Sequence, residues 1–426
     1  MFKKVSATTL FYAYLQAVSF LIFLLTAKYF GAHGRGLYAS VTSMGTFTAT
    51  LVGLSIGSVI PYFVVEFKQS RDVFFRERFY SILALISLLT LLAFLALALT
   101  YLIRPVLFGN ISLQYLLAAA ISLPYFMWIG SNDFLFSSAG KIRNQNIIGF
   151  FVKGGFLIVC FMLFYFFKIN LIKFLVLYGC FNLLQLAAEV SWFVKTVHAK
   201  FLINMVFIKS LVKKGLHIHA VSIAGLLNTS FSILVLNYYA KNDLRAVGNL
   251  NFATQLSSLL MVVPLVVNRY MYSEITAYGI KEGWKKQKKI IKYCLFFMAV
   301  VSIAAYFLIV PFCSFWGKEF TDAIPVFRII LLILLPSSFC TLMQSQWYSR
   351  GYFKLMSVIN ISVGIVGALI TLYTIPRYGM YGAVITTIFT YISFFIINLI
   401  FYFKINSSKN TDEPKPMLKI INDEEN

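Results

Sequence analysis

Residues 195–214, KTVHAKFLINMVFIKSLVKK, carry five lysines and stand near the midpoint of the chain. Long, mostly apolar blocks flank this stretch on both sides. The stretch reads as a cytoplasmic connector between two similar halves of a membrane protein. The rest of the sequence is consistent with that reading.

Of the 426 residues, 60% are hydrophobic and only 12% are charged. A soluble domain has roughly 25% charged residues. Apolar surface on this scale needs lipid as its solvent. The formal charge of +22 would suggest nucleic acid in a soluble protein. In a membrane protein, basic residues gather in cytoplasmic loops, so no nucleic-acid partner is expected. Cys160, Cys180, Cys294, Cys313 and Cys340 fall in or beside apolar runs without metal-ligand spacing. They read as buried packing residues, with no disulfide framework and no metal site. The basic N-terminus leads into an apolar run too long for a signal-peptide core, so it reads as a retained first span.

Twelve stretches approach the ~20 residues needed to cross ~30 Å of hydrocarbon. They are 8–30, 38–64, 79–103, 112–137, 147–167, 171–194, 216–240, 249–272, 291–313, 323–347, 355–375 and 380–403. The predicted fold class is all-α, a polytopic membrane protein with two six-helix lobes. Residues 1–194 form the N-terminal lobe, 195–215 the connector, 216–404 the C-terminal lobe and 405–426 a disordered tail. With the N-terminus inside, 25 of the Lys and Arg residues fall on the inner side and 10 on the outer side. That bias puts both termini in the cytoplasm.

The halves read as a repeat. Aligning Gly36 on Gly248 gives an offset of 212. Aligning Tyr38-Ala39-Ser40 on Phe252-Ala253-Thr254 gives 214, and Lys141 on Lys354 gives 213, which also puts Gly154 on Gly367. Six spans per half make a parallel repeat about an axis along the membrane normal, with a cavity between two lobes that rock against each other.

The glycine-rich segment after the first span (Gly31, Gly34, Gly36, Tyr38) and the Gly140-Lys141 loop followed by Asn146 carry a family resemblance, as does Tyr378-Gly379-Met380-Tyr381-Gly382-Ala383. The chain resembles the Wzx-type O-antigen and polysaccharide flippases of the MOP superfamily, whose fold is MATE-like. The resemblance implies a carrier moving an undecaprenyl-diphosphate-linked oligosaccharide to the periplasmic leaflet of a bacterial inner membrane. It also implies membrane lipids, a polysaccharide polymerase and a chain-length regulator as partners, and no cofactor.

An anionic diphosphate is best held by Arg and Lys. Charges inside spans cost about 2.5–3.5 kcal/mol each at the bilayer centre and are site candidates by default. Lys153, beside Gly154 and Gly155, is either a lumen cation or a lysine that snorkels to the inner interface. Arg269 lies near the inner end of its span, where snorkelling is easier. Arg35 and Arg245 occupy the two equivalent outer loops, with Lys28 at the outer end of span 1. Solvated loop charge and a phosphate-release mouth are both open readings for these three.

Asp133, Glu66 and Glu189 are the candidates for proton or ion coupling, because a buried carboxylate can carry a transported proton. Asp133 is the leading one. Glu66 and Glu189 read rather as interfacial charges paired with lysines, Lys195 in the case of Glu189. His217 and His219 point to different helix faces, which argues against a shared metal. Asn228, Thr229, Ser230 and Asn237 give span 7 a polar stripe, either lumen lining or helix–helix contact.

Three function classes fit such a chain. A lipid-linked oligosaccharide flippase accounts for the basic candidates. A multidrug or cation antiporter shares the fold. A membrane polysaccharide polymerase needs a long outer loop holding catalytic groups, and no connection in the sequence is long enough to supply one. The protein therefore reads as a carrier and not an enzyme.

Overall fold

The computed structural model describes residues 2–67, 70–109, 111–228, 230–240 and 243–407. The tail predicted at 405–426 lies almost wholly outside the described residues. Every long element among them is a helix. Backbone polar groups in lipid must be satisfied within the segment, and an α-helix does this.

The first half contains α1 (Phe2–Val52), α2 (Ile56–Glu66), α3 (Arg71–Ile103), α4 (Leu113–Ala120), α5 (Leu123–Ser138), α6 (Ile142–Phe166) and α7 (Leu171–Val197). The second half contains α8 (Met205–Asn228), α9 (Ser230–Tyr239), α10 (Arg245–Leu260), α11 (Val262–Trp316), α12 (Ala323–Ser349), α13 (Phe353–Tyr378) and α14 (Met380–Ser407). Nine of the described helices are long and apolar enough to cross a membrane, or eleven stretches if each of two bent pairs counts as one. The first stretch, Ala13–Val52, takes in most of the first predicted span and the second as far as Val52, and α2 carries the rest of the second. With that stretch divided at its kink, the eleven map onto the twelve expected from sequence.

That kink corrects one expectation. GAHGRGLYAS, read as an outer loop, is helical apart from a single break at Gly31 (φ 65°, ψ −173°). Only glycine is at ease in this region of backbone space. Before the break α1 follows α6, with Tyr14 stacked on Phe150 at 4.3 Å and Tyr29 on Phe164 at 4.4 Å. After it, α1 and α2 follow α5, with Gly45 against Phe126 and Gly57 against Gly130. Helices α5 and α6 are joined by a tight turn at Gly140 (φ 70°), so they run in opposite senses, and the chain must reverse at Gly31.

On the expectation from the charge count, the face carrying Glu66 and Lys214 is labelled inner and the face carrying Gly31 and Arg245 outer. The inner part of the first half is filled by aromatic packing. Phe79 stacks on Phe193 at 4.7 Å, and Phe136 meets Phe193 edge-on at 5.1 Å. Phe79, Phe136, Phe193 and Trp128 are all fully buried. Exposed Leu, Ile and Phe side chains on α3, α6 and α11 suit a lipid-facing surface. All five cysteines are free, but Cys180 is exposed, not buried.

Candidate functional site

The N-terminal half places a carboxylate at its centre. Glu189 on α7 is 0% exposed. Trp128 Nε1 donates to its Oε2 at 2.6 Å, Asn132 Nδ2 to the same oxygen at 2.9 Å, and Gln185 Nε2 to Oε1 at 2.8 Å. Trp128 and Asn132 stand one turn apart on α5, and Gln185 one turn before Glu189 on α7. Two helix faces therefore converge on one group. The pairing with Lys195 considered from sequence is not formed, because Glu189 points into the bundle and not toward the interface. All three donors are neutral. An ionised carboxylate here has its hydrogen bonds but forms no ion pair among the described residues, which is a costly arrangement in a dry interior.

Asp133, next to Asn132 on α5, points to another face of the helix. It is exposed and accepts from Gln145 Nε2 of α6 at 2.6 Å. Lys153 lies further along α6 and is half-buried. Its ammonium sits in the fields of Glu189 and Asp133, yet among the described residues it forms no ion pair. The structure thus brings together three of the sequence candidates, Glu189, Asp133 and Lys153, on α5, α6 and α7. Gly154 lets α1 approach this region closely, since a Cβ there would meet the Tyr14 hydroxyl at 2.5 Å.

A second constellation closes the outer face between the halves. A Cβ on Gly36 would collide with the Leu244 carbonyl and the Gly248 nitrogen, and one on Gly248 with the Ala32 carbonyl. The outer parts of α1 and α10 therefore cross backbone against backbone. Beside this crossing the Glu319 carboxylate, from the second half, accepts the Ala32 N–H at 2.9 Å. Ala32 begins the helix after the kink, so its N–H has no partner within the helix. Glu319 acts as a cap supplied from across the seam. Lys28 extends the closure, with its ammonium 5.3 Å and 5.6 Å from the Phe315 and Trp316 ring centres.

Arg35 corrects its sequence reading as an outer-loop charge. It is 5% exposed, and NH1 donates to Thr26 Oγ1 at 2.9 Å. Its guanidinium lies 4.6 Å from both the Phe23 and Tyr38 rings. Phe23 and Thr26 precede the Gly31 kink and Tyr38 follows it, so Arg35 clips the two arms of the kink together. Arg245 is exposed at the start of α10, 3.8 Å from Asp243, and that carboxylate lies 3.9 Å from His33 of the first half.

Three further candidates sit elsewhere. Glu66 is exposed on the inner face, 3.8 Å from Lys214 Nζ, and accepts from the Tyr62 hydroxyl at 3.0 Å. The side chains of Arg269 and Asn228, and Thr229 altogether, lie outside the described residues. Asn237 is fully buried and donates to the Phe108 carbonyl at 3.1 Å, so it ties α9 to a neighbouring turn.

His219 is buried at the break between α1 and α2. Its Nε2 lies 2.9 Å from the Leu51 carbonyl and its Nδ1 3.2 Å from Ser55 Oγ. A carbonyl only accepts, so Nε2 carries the proton and, in the neutral ring, Nδ1 accepts from Ser55. Leu54 and Ser55 are left-handed there (φ 51° and 49°). His219 supports this unfavourable backbone from the other half.

Sequence reasoning missed Trp128, Gln185, Gln145 and Glu319. Gln185 was within reach, because it precedes Glu189 by one helical turn. The others act across helices, where a single sequence carries no spacing signal.

No protein-family model and no curated protein matches the chain. Solved structures do. A lipid II flippase, MurJ, in an inward closed conformation superposes with a TM-score of 0.73 at 16% identity, covering 97% of this chain and 95% of that one. An inward-facing multidrug-resistance MATE transporter of the MOP superfamily gives 0.65 at 14% identity, covering 93% and 96%. A MOP-superfamily transporter from Pyrococcus furiosus gives 0.53 at 13% identity, covering 96% and 94%. These likenesses span whole chains, and the fold they share is that of the MOP-superfamily transporters: this chain is an all-α, multi-pass membrane protein of that fold.

Proposed function

We propose that the protein is a flippase that carries an undecaprenyl-diphosphate-linked oligosaccharide, an O-antigen or related surface-polysaccharide repeat unit, from the cytoplasmic to the periplasmic leaflet of a bacterial inner membrane. The observation that carries this reading is the likeness to a lipid II flippase over 97% of the chain at a TM-score of 0.73. The two halves rock about the Gly36–Gly248 seam, and the cargo is exposed to one side at a time. The Lys153 ammonium meets the diphosphate. Ion or proton movement through Glu189 and Asp133 resets the carrier. A polymerase and a chain-length regulator would receive the delivered unit.

A carrier of lipid-linked cargo also needs an apolar place beside its lumen for the tail. A cavity of about 450 Å³ lies beside the seam between α1, α3, α9 and α13. Met44, Phe47, Leu97, Phe231 and Leu372 line it. An isoprenoid chain suits such a wall better than a hydrophilic drug would.

The test is a leaflet assay in a strain lacking the gene. Lipid-linked repeat units accumulating on the cytoplasmic side support a flippase. Their accumulation, unpolymerised, on the periplasmic side points to a polymerase. Normal surface polysaccharide together with new sensitivity to cationic drugs favours the multidrug antiporter.

A further inference from the structure

The C-terminal half holds a cavity of about 470 Å³ between α9, α10, α12 and α14, unlike in chemistry to the charged cluster of Glu189, Asp133 and Lys153. Among the described residues its wall has eight Ser and Thr hydroxyls and two side-chain amides, and no Asp, Glu, Lys, Arg or His. The hydroxyls are directed. Thr254 donates to the Asn251 carbonyl at 3.0 Å, and Ser258 to the Thr254 carbonyl at 2.9 Å. Thr341 and Thr387 donate to the Ser337 and Ala383 carbonyls, each at 2.9 Å. The protons of these four are thus committed to the helix backbone, and their oxygens offer lone pairs to the cavity, beside the Tyr391 hydroxyl, which can donate or accept. Asn251 is 7% exposed, and its Oδ1 has no hydrogen-bond partner. Gln255, one turn on, makes no hydrogen bond among the described residues.

The wall is therefore rich in acceptors and, among the described residues, uncharged. Phosphate oxygens would meet acceptors there and find no cation. A bare metal ion would find no carboxylate, in a space far too large for it. An organic cation would find no counter-charge. A ligand with many O–H donors, no charge and both donor and acceptor capacity fits. The buried amide of Asn251 needs such a partner, because an unsatisfied polar group costs about 1–3 kcal/mol. The volume falls within the roughly 300–1,000 Å³ of small-molecule sites.

We infer that this cavity is the glycan subsite and takes the uncharged sugar rings of the cargo, while the diphosphate stays with Lys153 in the other half. The inference rests on the flippase reading and adds a division of labour to it. One half reads charge and the other reads hydroxyls.

The test uses the full-length protein in lipid nanodiscs. The probe is the repeat-unit oligosaccharide released from the host's own surface polysaccharide by partial acid hydrolysis, titrated calorimetrically. Wild type should bind it. The Asn251→Leu/Gln255→Leu double variant should bind at least tenfold more weakly. Thr387→Val, which keeps shape and removes an acceptor, should weaken binding severalfold and guards against misfolding of the double variant. Inorganic pyrophosphate should not displace the sugar.

No binding by wild type, unchanged binding in both variants, or displacement by pyrophosphate would each overturn the subsite. Failure here with normal results in the leaflet assay removes the subsite and leaves the flippase. Sugar binding without leaflet transport removes the flippase and leaves a sugar site.

Discussion

Gly36 and Gly248 touch. A β-carbon on either would run into the backbone of the other's helix. These two residues stand at equivalent points of the two halves, 212 residues apart, and they meet where the halves close the outer face. Glycine at both positions allows the closest approach. Closure of the outer side therefore depends on two missing side chains.

Gly248→Val should prevent that closure. Overpacking costs about 1–3 kcal/mol, and here only the outward-closed state bears it. Transport should fall at least tenfold with protein level unchanged. In a cysteine-free background, Thr254→Cys should become reachable by a bulky maleimide added from outside. If Gly248→Val transports normally, the seam is not the outer closure.

Glu319 should act as a latch on the same closure. Its carboxylate caps the Ala32 N–H from the other half, an interaction worth about 1 kcal/mol. Glu319→Ala should raise the outward-open population about fivefold, since 1.4 kcal/mol is tenfold. Glu319→Gln keeps an acceptor and should lie between. Spin labels at His33→Cys and Asp243→Cys, in the same cysteine-free background, should report the longer distance more often in the Ala variant. Identical distance distributions in all three proteins would reduce Glu319 to a bystander.

The limits of the sequence can be seen at particular residues. The apolar runs were legible, because lipid enforces span length. Arg35 was misplaced, because Gly31, Gly34 and Gly36 together look like a loop. Only Gly31 leaves the helix. Gly34 instead lies against Phe30, and Gly36 against the helix from the other half. Glu189 was ranked below Asp133, because distance along a span was the available measure of burial. Its hydrogen-bonding environment comes mostly from α5, about sixty residues away in sequence.

Glu189 is expected to carry the coupling charge. Glu189→Gln keeps size but turns an amide toward three donors, so it should lose gradient-driven transport. It should also cost about 1–3 kcal/mol of stability from the unsatisfied polar groups. Trp128→Phe removes one donor and should lower transport less. Asp133 is exposed with a single donor, so Asp133→Asn should leave insertion intact and reduce coupling less than Glu189→Gln. A carboxylate moving in the membrane field makes transport voltage-sensitive by about 2.3 kcal/mol per charge per 100 mV. Should Asp133→Asn abolish gradient-driven flipping while Glu189→Gln retains it, the roles are reversed.

Both termini are expected in the cytoplasm on the 25-to-10 charge bias. A reporter active only in the periplasm, fused after Asn426, should stay silent. Activity there would invert the inner and outer faces and move the glycine seam to the cytoplasmic side.

Lys153 separates a lumen cation from a snorkelling one. It lies among Glu189, Asp133 and the close approach of Tyr14 to Gly154, and it has no ion-pair partner among the described residues. A lysine held within the bundle without a partner is poised for an anionic ligand. Charge should then matter more than length. Lys153→Arg should keep much of the transport, although a guanidinium fork differs from a point charge. Lys153→Ala should lose at least tenfold, and Lys153→Glu more, through repulsion of the diphosphate and of Glu189. Protein level must be measured in each case, because a lost interfacial anchor lowers insertion instead. A snorkelling lysine behaves differently: Lys153→Gln would be tolerated, since an amide at the interface is nearly as well solvated. In the cysteine-free background, Lys153→Cys should react with a bulky aqueous reagent only if the position faces the lumen. Full complementation by Lys153→Ala at normal protein level would take Lys153 out of the substrate path and leave Arg269 and the outer-mouth residues to bind the phosphate.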